Sequence, residues 1–459
     1  MTLVWNHEQG AIFTILVEEF KKQNIRYFVL RNYDGLPDEN TSKDVDIIIE
    51  PGKLKKSREI LKNVYKRAGL KRYSETIYGR VHCMLGMNED AKFSIHIDLI
   101  EGYLAKGFEV FKFDELYSHT KWYRGFCVMD SLYEGIMLYI YKQFGYAKPK
   151  FKEEYKDSIY QTYQTYSIEF FEVLTRLLGK DFAMETCKYI ANKDFDSIIN
   201  NSQKLTKSLQ NYVWKKHPFD TLKNVLLFFF QKVTRVVFQY KKHAKVLAVL
   251  APDGTGKTTF LDTLIKQLQY YYVNTPEDNR FSVYHFRPTI LPNLGEVGEK
   301  VGVMKQNTDF TNPHRSKPAN LLSSLLRITY YTIDYIIGWQ KCVRRDVQFD
   351  KYTIFDRYSY DFIVDPLRTK LNLPKWVRRF FVALTPKPEV IFVLNAQPEV
   401  IYARKQELTL REITRQVGEY QKITKKNPQR FVTINATKTP NQMAEEAVKI
   451  LLNKYTVRL

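Results

Sequence analysis

The stretch KVLAVLAPDGTGKTTF, Lys245 to Phe260, constrains the fold more than any other part of the chain. An apolar run without polar alternation fits a strand buried on both faces. It leads into APDGTGKT, which follows the phosphate-loop pattern G-x-x-x-x-G-K-[ST] except that Ala251 stands at the first position, and a helical pattern, TTFLDTLIKQL, begins there. That position needs only a small residue where the strand leaves the sheet. Gly254 and Gly256 let backbone N–H groups turn inward, Lys257 can reach the β and γ phosphates, and Thr258 can ligand Mg²⁺. Gly254, Thr255, Gly256, Lys257, Thr258 and Thr259 are thus the expected nucleotide-binding set. The anomaly is Asp253, a carboxylate among groups that should attract phosphate.

From Lys245 onward, apolar runs alternate with helical stretches: AKVLAVLA, FSVYHF, YTIFD, EVIFVLNA and RFVTINA. This grammar predicts an α/β domain, a doubly wound parallel sheet covered on both faces, over residues 244–459. Asp356, at the end of YTIF, is placed to order a metal, its waters or an acceptor hydroxyl. Arg357 beside it is placed to clamp a phosphate.

PDGTGKTT followed much later by FDRYSYD resembles the thymidylate kinase family of P-loop nucleoside monophosphate kinases. The resemblance implies that Asp253 contacts the acceptor nucleotide and that Asp356, Arg357 and Tyr358 form the family's Asp-Arg-Tyr motif. LNAQPEVIYARKQELTLREITRQVGEY is similar to the family's strand, helix and lid, with Arg404, Lys405, Arg411 and Arg415 as candidate lid cations, Arg411 taken as catalytic. Arg287, Arg315, Lys317, Tyr331 and Asp334 are candidates to line the acceptor cleft. RPTILP and FIVDPLR look closer to the divergent members found in bacterial surface-polysaccharide gene clusters, so dTMP is one acceptor among several. ATP and Mg²⁺ are the implied cofactors.

Near the N-terminus, SKDVDIIIE puts Asp44 and Asp46 on one face of a strand and Val45 on the other. FSIHIDL likewise turns Ser94, His96 and Asp98 one way and Ile95, Ile97 and Leu99 the other. Neighbouring strands would then present three carboxylates, Asp44, Asp46 and Asp98, a cluster that needs cations and suits a two-Mg²⁺ nucleotidyl-transfer site. The arrangement resembles the polymerase-beta nucleotidyltransferase superfamily over residues 10–210. Its usual Gly-Ser pair is absent from LRNYDGLPDENTS, which holds Gly35, with Arg31 and Ser42 as substitutes. Whether this site turns over stays open. His82, His96 and His119 lack metal-ligand spacing and read as ordinary polar or core residues.

A chain of 459 residues predicts more than one core. The expected divisions are a nucleotidyltransferase-like α+β domain at 1–130, a helical extension at 131–220, a basic amphipathic linker helix at 221–243 and the kinase-like domain. The formal charge of +21 favours anionic partners. Leu222 to Lys242 is too polar to span a bilayer comfortably, which leaves two readings: docking on an anionic membrane surface, or packing between domains. Four scattered cysteines suggest no zinc framework or disulfides, and the N-terminus resembles no signal peptide. The expected location is cytoplasmic, with peripheral attachment to the inner membrane face left open.

The leading function is phosphoryl transfer from ATP to a nucleotide-like or sugar-like acceptor, with a nucleotidyltransferase-like N-terminal domain. The alternative is a nucleotide-dependent assembly or membrane-docking factor without small-molecule turnover. Nucleic acid ranks last as a partner for want of a stacking platform or RNA module. A second copy of the chain stays open.

Overall fold

A computed structural model of the chain describes all residues except 1–4, 41, 43, 79, 90–92, 145–148, 235–244, 274–280, 293–318 and 349–350. Arg315, Lys317 and the 235–242 part of the basic stretch therefore lie outside the described residues. The chain divides into two compact units, Met1–Thr234 with Thr456–Leu459, and Arg235–Tyr455.

The first unit opens with helix His7–Lys22, started by a capping box in which Asn6 accepts from the Gln9 backbone and Gln9 returns the bond. It buries Ile12, Phe13, Leu16, Val17 and Phe20. The strands are β1 (Tyr27–Val29), β2 (Asp44–Ile49), β3 (Arg72–Tyr78), β4 (Val81–Met87), β5 (Ser94–Glu101), β6 (Thr120–Tyr123) and β7 (Phe126–Met129). They run in the order β3-β4-β5-β2-β1-β7-β6, and Val457–Arg458 pairs antiparallel with the outer edge of β3. The sheet is mixed: β2 with β5 and β1 with β7 are parallel, the other pairs antiparallel.

Helices Ser131–Tyr141, Glu153–Thr165, Ser167–Leu178, Lys180–Ala191, Phe195–Asn200 and Ser202–Lys216 follow. Their apolar faces join the sheet's core: Ile136, Ile159, Phe170, Ile190 and Leu205 belong to the same buried cluster as Phe13, Ile47 and Ile97. The extension thus shares the sheet's hydrophobic core.

The second unit carries β8 (Val246–Leu250), β9 (Phe281–His285), β10 (Tyr352–Asp356), β11 (Val390–Asn395) and β12 (Phe431–Asn435), all parallel in the order β12-β11-β8-β10-β9. Every residue of β8 is fully buried, as a central strand covered on both faces requires. β8 leads on one side to β10 and β9 and on the other to β11 and β12. The order reverses there, and in open parallel sheets ligands bind beyond the strand ends at such a reversal. Among the described residues no helix is long and apolar enough to cross a membrane.

Candidate functional site

The loop from Ala251 to Gly256 leaves β8 at that reversal, and helix Lys257–Val273 begins at its end. Gly254 and Gly256 have φ of 83° and 92°, the left-handed backbone that glycine takes without steric cost. Thr255 closes the turn on Pro252, its Oγ1 donating to the carbonyl at 2.8 Å. Lys257 is buried at the first helical position, and Thr258 and Thr259 are exposed in the same turn. A helix N-terminus with exposed hydroxyls and inward-turned amides is chemically suited to phosphate.

β10 ends beside it, with Asp356 in register with Val249 of β8 and His285 of β9. Lys257 Nζ donates to Asp356 Oδ1 in direct contact, and His285 Nδ1 lies 2.9 Å from Oδ2. Burial and the Arg357 guanidinium press the Lys257 ammonium below its ordinary pKa. Asp361 and Asp253 oppose that fall, and Asp356 is the carboxylate the ammonium touches.

Arg357 takes φ of 77°, left-handed backbone rare for a residue with a side chain, while its N–H donates to the Val249 carbonyl at 3.0 Å. Its guanidinium donates to Asp361 Oδ2 at 3.0 Å and contacts Asp253 Oδ1 directly. Asp253 Oδ2 is contacted in turn by Arg368, which also donates to Asp365 at 3.1 Å. Burial opposes the Arg357 charge, but Asp361 and Asp253 outweigh it and raise its pKa. Asp361, fully buried, is itself raised by burial against the pull of Arg357, and accepts the Tyr420 hydroxyl at 3.0 Å. Asp253 therefore holds two arginines side by side at the mouth of the phosphate loop.

The candidate lid cations separate. Arg404 donates to the Thr255 carbonyl at 3.5 Å and the Ala436 carbonyl at 2.9 Å. Lys405 pairs with Glu407 at 2.9 Å. Arg415 binds Glu412 and the Val364 carbonyl, both at 2.6 Å. Arg411 is exposed in the first turn of helix Leu410–Lys426. Arg287 and Asp334, expected along the acceptor cleft, are buried and paired at 2.7 Å, and Asp334 also accepts from the Thr289 and Leu291 amides. This pair holds the bend after β9. Tyr331 stacks on Phe362 at 6.1 Å.

Sequence reasoning passed over Arg368, Asp361, Tyr420 and His285. Asp361 closes the FDRYSYD stretch and Arg368 closes FIVDPLR, so both lay in segments already singled out. His285 and Tyr420 carry no local signal; pairing across strands and helix packing bring them in.

In the first unit, parallel pairing of β2 and β5 sets Asp46 opposite Asp98 and Asp44 opposite His96. The three expected carboxylates do lie on neighbouring strands. Arg31 clamps Asp46 through Nε at 3.0 Å and Nη2 at 2.9 Å, and Ser42 Oγ donates to Asp44 at 3.0 Å. Burial raises the Asp46 pKa, opposed by Arg31 and reinforced by Asp44 and Asp98. His96 Nε2 is 2.9 Å from Asp98 Oδ1. A cavity of about 220 Å³ is lined by Arg31, Tyr103, Glu134, Tyr141 and Lys142, among others.

No family model matches the chain. The sequence is 25% identical over 222 residues to a protein of Methanosarcina barkeri (strain Fusaro / DSM 804) described as a probable thymidylate kinase, covering 45% of this chain and 96% of that protein. Among solved structures, thymidylate kinase from Ehrlichia chaffeensis aligns at 18% identity over 45% of this chain and 97% of that one, with a TM-score of 0.30, too low to bear on the fold. Thymidylate-kinase-like sequence similarity over about 45% of the chain supports a P-loop kinase, a nucleotide-kinase-like phosphotransferase.

Proposed function

We propose that the second unit transfers the γ-phosphoryl group of ATP to a nucleotide-like or sugar-like acceptor, in surface-polysaccharide metabolism. One observation carries the reading. At the adjoining ends of β8 and β10, a glycine-turned loop opens a helix on Lys257, Lys257 touches Asp356, and Arg357 and Arg368 are held together on Asp253.

Phosphoryl transfer asks a protein mainly for positioning and for positive charge around the migrating group. Lys257 and the loop amides serve the donor phosphates. Arg357 and Arg368, forked and oriented by one carboxylate, offer paired N–H donors to a phosphate on the acceptor side. In this reading Asp253 acts on the acceptor through the two arginines. Lys257 and Asp356 must part for the lysine to reach a phosphate, so ligand binding exchanges one ion pair for another.

The exposed Thr258 hydroxyl and the Asp356 carboxylate are hard oxygen donors of the kind Mg²⁺ prefers. When bound there, the ion would neutralise charge on the phosphate oxygens.

The test is a panel: protein, ATP and Mg²⁺ with nucleoside monophosphates and surface-polysaccharide sugars, scoring which acceptor gains phosphate. Transfer to one acceptor class is expected; a panel with no phosphorylated acceptor would overturn the reading. The first unit is read as nucleotidyltransferase-like from the β2–β5 pairing of Asp44, Asp46 and Asp98. Incorporation of label from an α-labelled nucleoside triphosphate into a product tests that activity, and loss of the label signal in Asp98→Asn is required of it.

A second reading has its own observation. Helix Pro218–Thr234 turns Thr221 and Asn224 inward and leaves Phe219, Leu222, Leu226, Phe229, Phe230 and Val233 exposed, Phe219 at 86%. These residues recur at helical spacing on one face. With the charge of +21 this supports peripheral docking on an anionic bilayer, presented from the cytoplasmic side. Co-sedimentation with anionic vesicles, weakened by salt and abolished in Phe229→Asp/Phe230→Asp, is expected. Protein left in the supernatant at low salt would refute it.

A further inference from the structure

We propose that Cys83, His96 and Asp98 form a site for a borderline-soft divalent cation of the zinc class. Antiparallel pairing of β4 with β5 sets Cys83 directly opposite Asp98, and His96, two residues before Asp98, projects from the same face of the sheet. A sulfur, an imidazole nitrogen and a carboxylate oxygen of these side chains lie within 4.8 Å of one another. The His96 and Asp98 side chains each keep 12% exposure, so an ion can enter while most bulk water stays out.

The donor set decides the class of ion. Sulfur, imidazole and carboxylate together are zinc-type ligands, whereas Mg²⁺ prefers oxygen donors and retained water. Asp46, directly across from Asp98, is paired with Arg31 at 2.9 Å, while Asp98 faces Cys83 and His96. Asp44 lies across from His96 on the neighbouring strand and accepts from Ser42 Oγ at 3.0 Å. The ion would take the imidazole of His96 in its neutral form, with the ring proton on the other nitrogen, and would displace the thiol proton of Cys83 to solvent.

Full-length protein freed of metal by chelation is titrated with Co²⁺. Binding of about one Co²⁺ per chain with a thiolate-to-cobalt charge-transfer band is expected, reversed by Zn²⁺ and unaffected by roughly hundredfold excess Mg²⁺. Cys83→Ser should abolish the band, and His96→Gln should weaken Co²⁺ binding by roughly tenfold or more, with circular dichroism confirming that both variants fold. In the wild-type protein, Zn²⁺ should slow alkylation of Cys83 and leave that of Cys342, also half-buried, unchanged. Absence of the band, its survival in Cys83→Ser, displacement by Mg²⁺, or equal alkylation of Cys83 with and without Zn²⁺ would each overturn the proposal.

Discussion

Arg357 is held between two carboxylates of different burial, Asp361 at 0% side-chain exposure and Asp253 at 18%. Removing one charge from a buried pair leaves the other uncompensated, and the loss is then large. Asp361→Asn, which keeps the shape and an acceptor for Tyr420, is expected to lower unfolding stability by roughly 3 kcal/mol in urea titrations. A variant as stable as the parent would show that Arg357 does not depend on this pair. At this scale the sequence exposed the residues fixed by local spacing: Lys257 inside the loop pattern, and Asp356 with Arg357 at a strand end. The contact between Asp253 and Arg368 joins residues 115 apart in sequence, a pairing that no local pattern records.

The loop and helices flanking β8 carry their own constraint. A Cβ added to Gly254 would meet Lys405 Cβ at 3.0 Å and the Ile401 carbonyl at 3.2 Å, on top of φ of 83°. Helix Pro398–Arg404 therefore packs against the loop at a point where an added side chain would be tight and its neighbours would have to give. Gly254→Ala is expected to cost about 1–2 kcal/mol from backbone strain alone and to weaken ATP binding measured by calorimetry. Unchanged affinity would mean that the loop does not need this conformation. In the first unit, burial, aided by Asp34, lifts the Glu134 carboxyl from 4.5 to about 7 against Tyr33, Lys121 and Arg31. The folded chain keeps a proton that the unfolded chain releases, so this contribution is full below 4.5 and is lost as pH rises through about 7. Between those limits Glu134→Gln should lose less stability than the wild type in urea unfolding; parallel pH curves would contradict this. β8, β10 and β11 were legible because strands buried on both faces are written as apolar runs, while β9 and β12, at the two edges of the sheet, carry shorter apolar runs with exposed positions between buried ones. β3, β4, β6 and β7 were not singled out, β3 and β6 because RYSETIY and TKWY mix charged and aromatic residues on half-exposed strands. The β6–β7 turn uses Arg124 and Gly125, both at positive φ, where the usual hairpin signal is Asn-Gly or Asp-Gly.

At the scale of the molecule, length alone pointed to more than one core, and the two units carry separate buried clusters, one around Phe13, Ile47 and Phe170, the other around Val246, Phe355 and Tyr358. The return of Thr456–Leu459 to the first unit was not legible, because a two-residue strand such as Val457–Arg458 is set by its partner β3 and has no pattern of its own. Separate cores should unfold in two calorimetric transitions. ATP with Mg²⁺ should stabilise the second unit's transition by roughly 2.7 kcal/mol at about a hundred times Kd. A single transition that moves as a whole would contradict that independence. The most direct test of the phosphotransferase reading is transfer of the γ-phosphoryl group of ATP to an acceptor from the panel, with Mg²⁺, by the wild type and Lys257→Ala. The expected result is a loss of at least about 10²-fold in the variant, and transfer at the wild-type rate would contradict it.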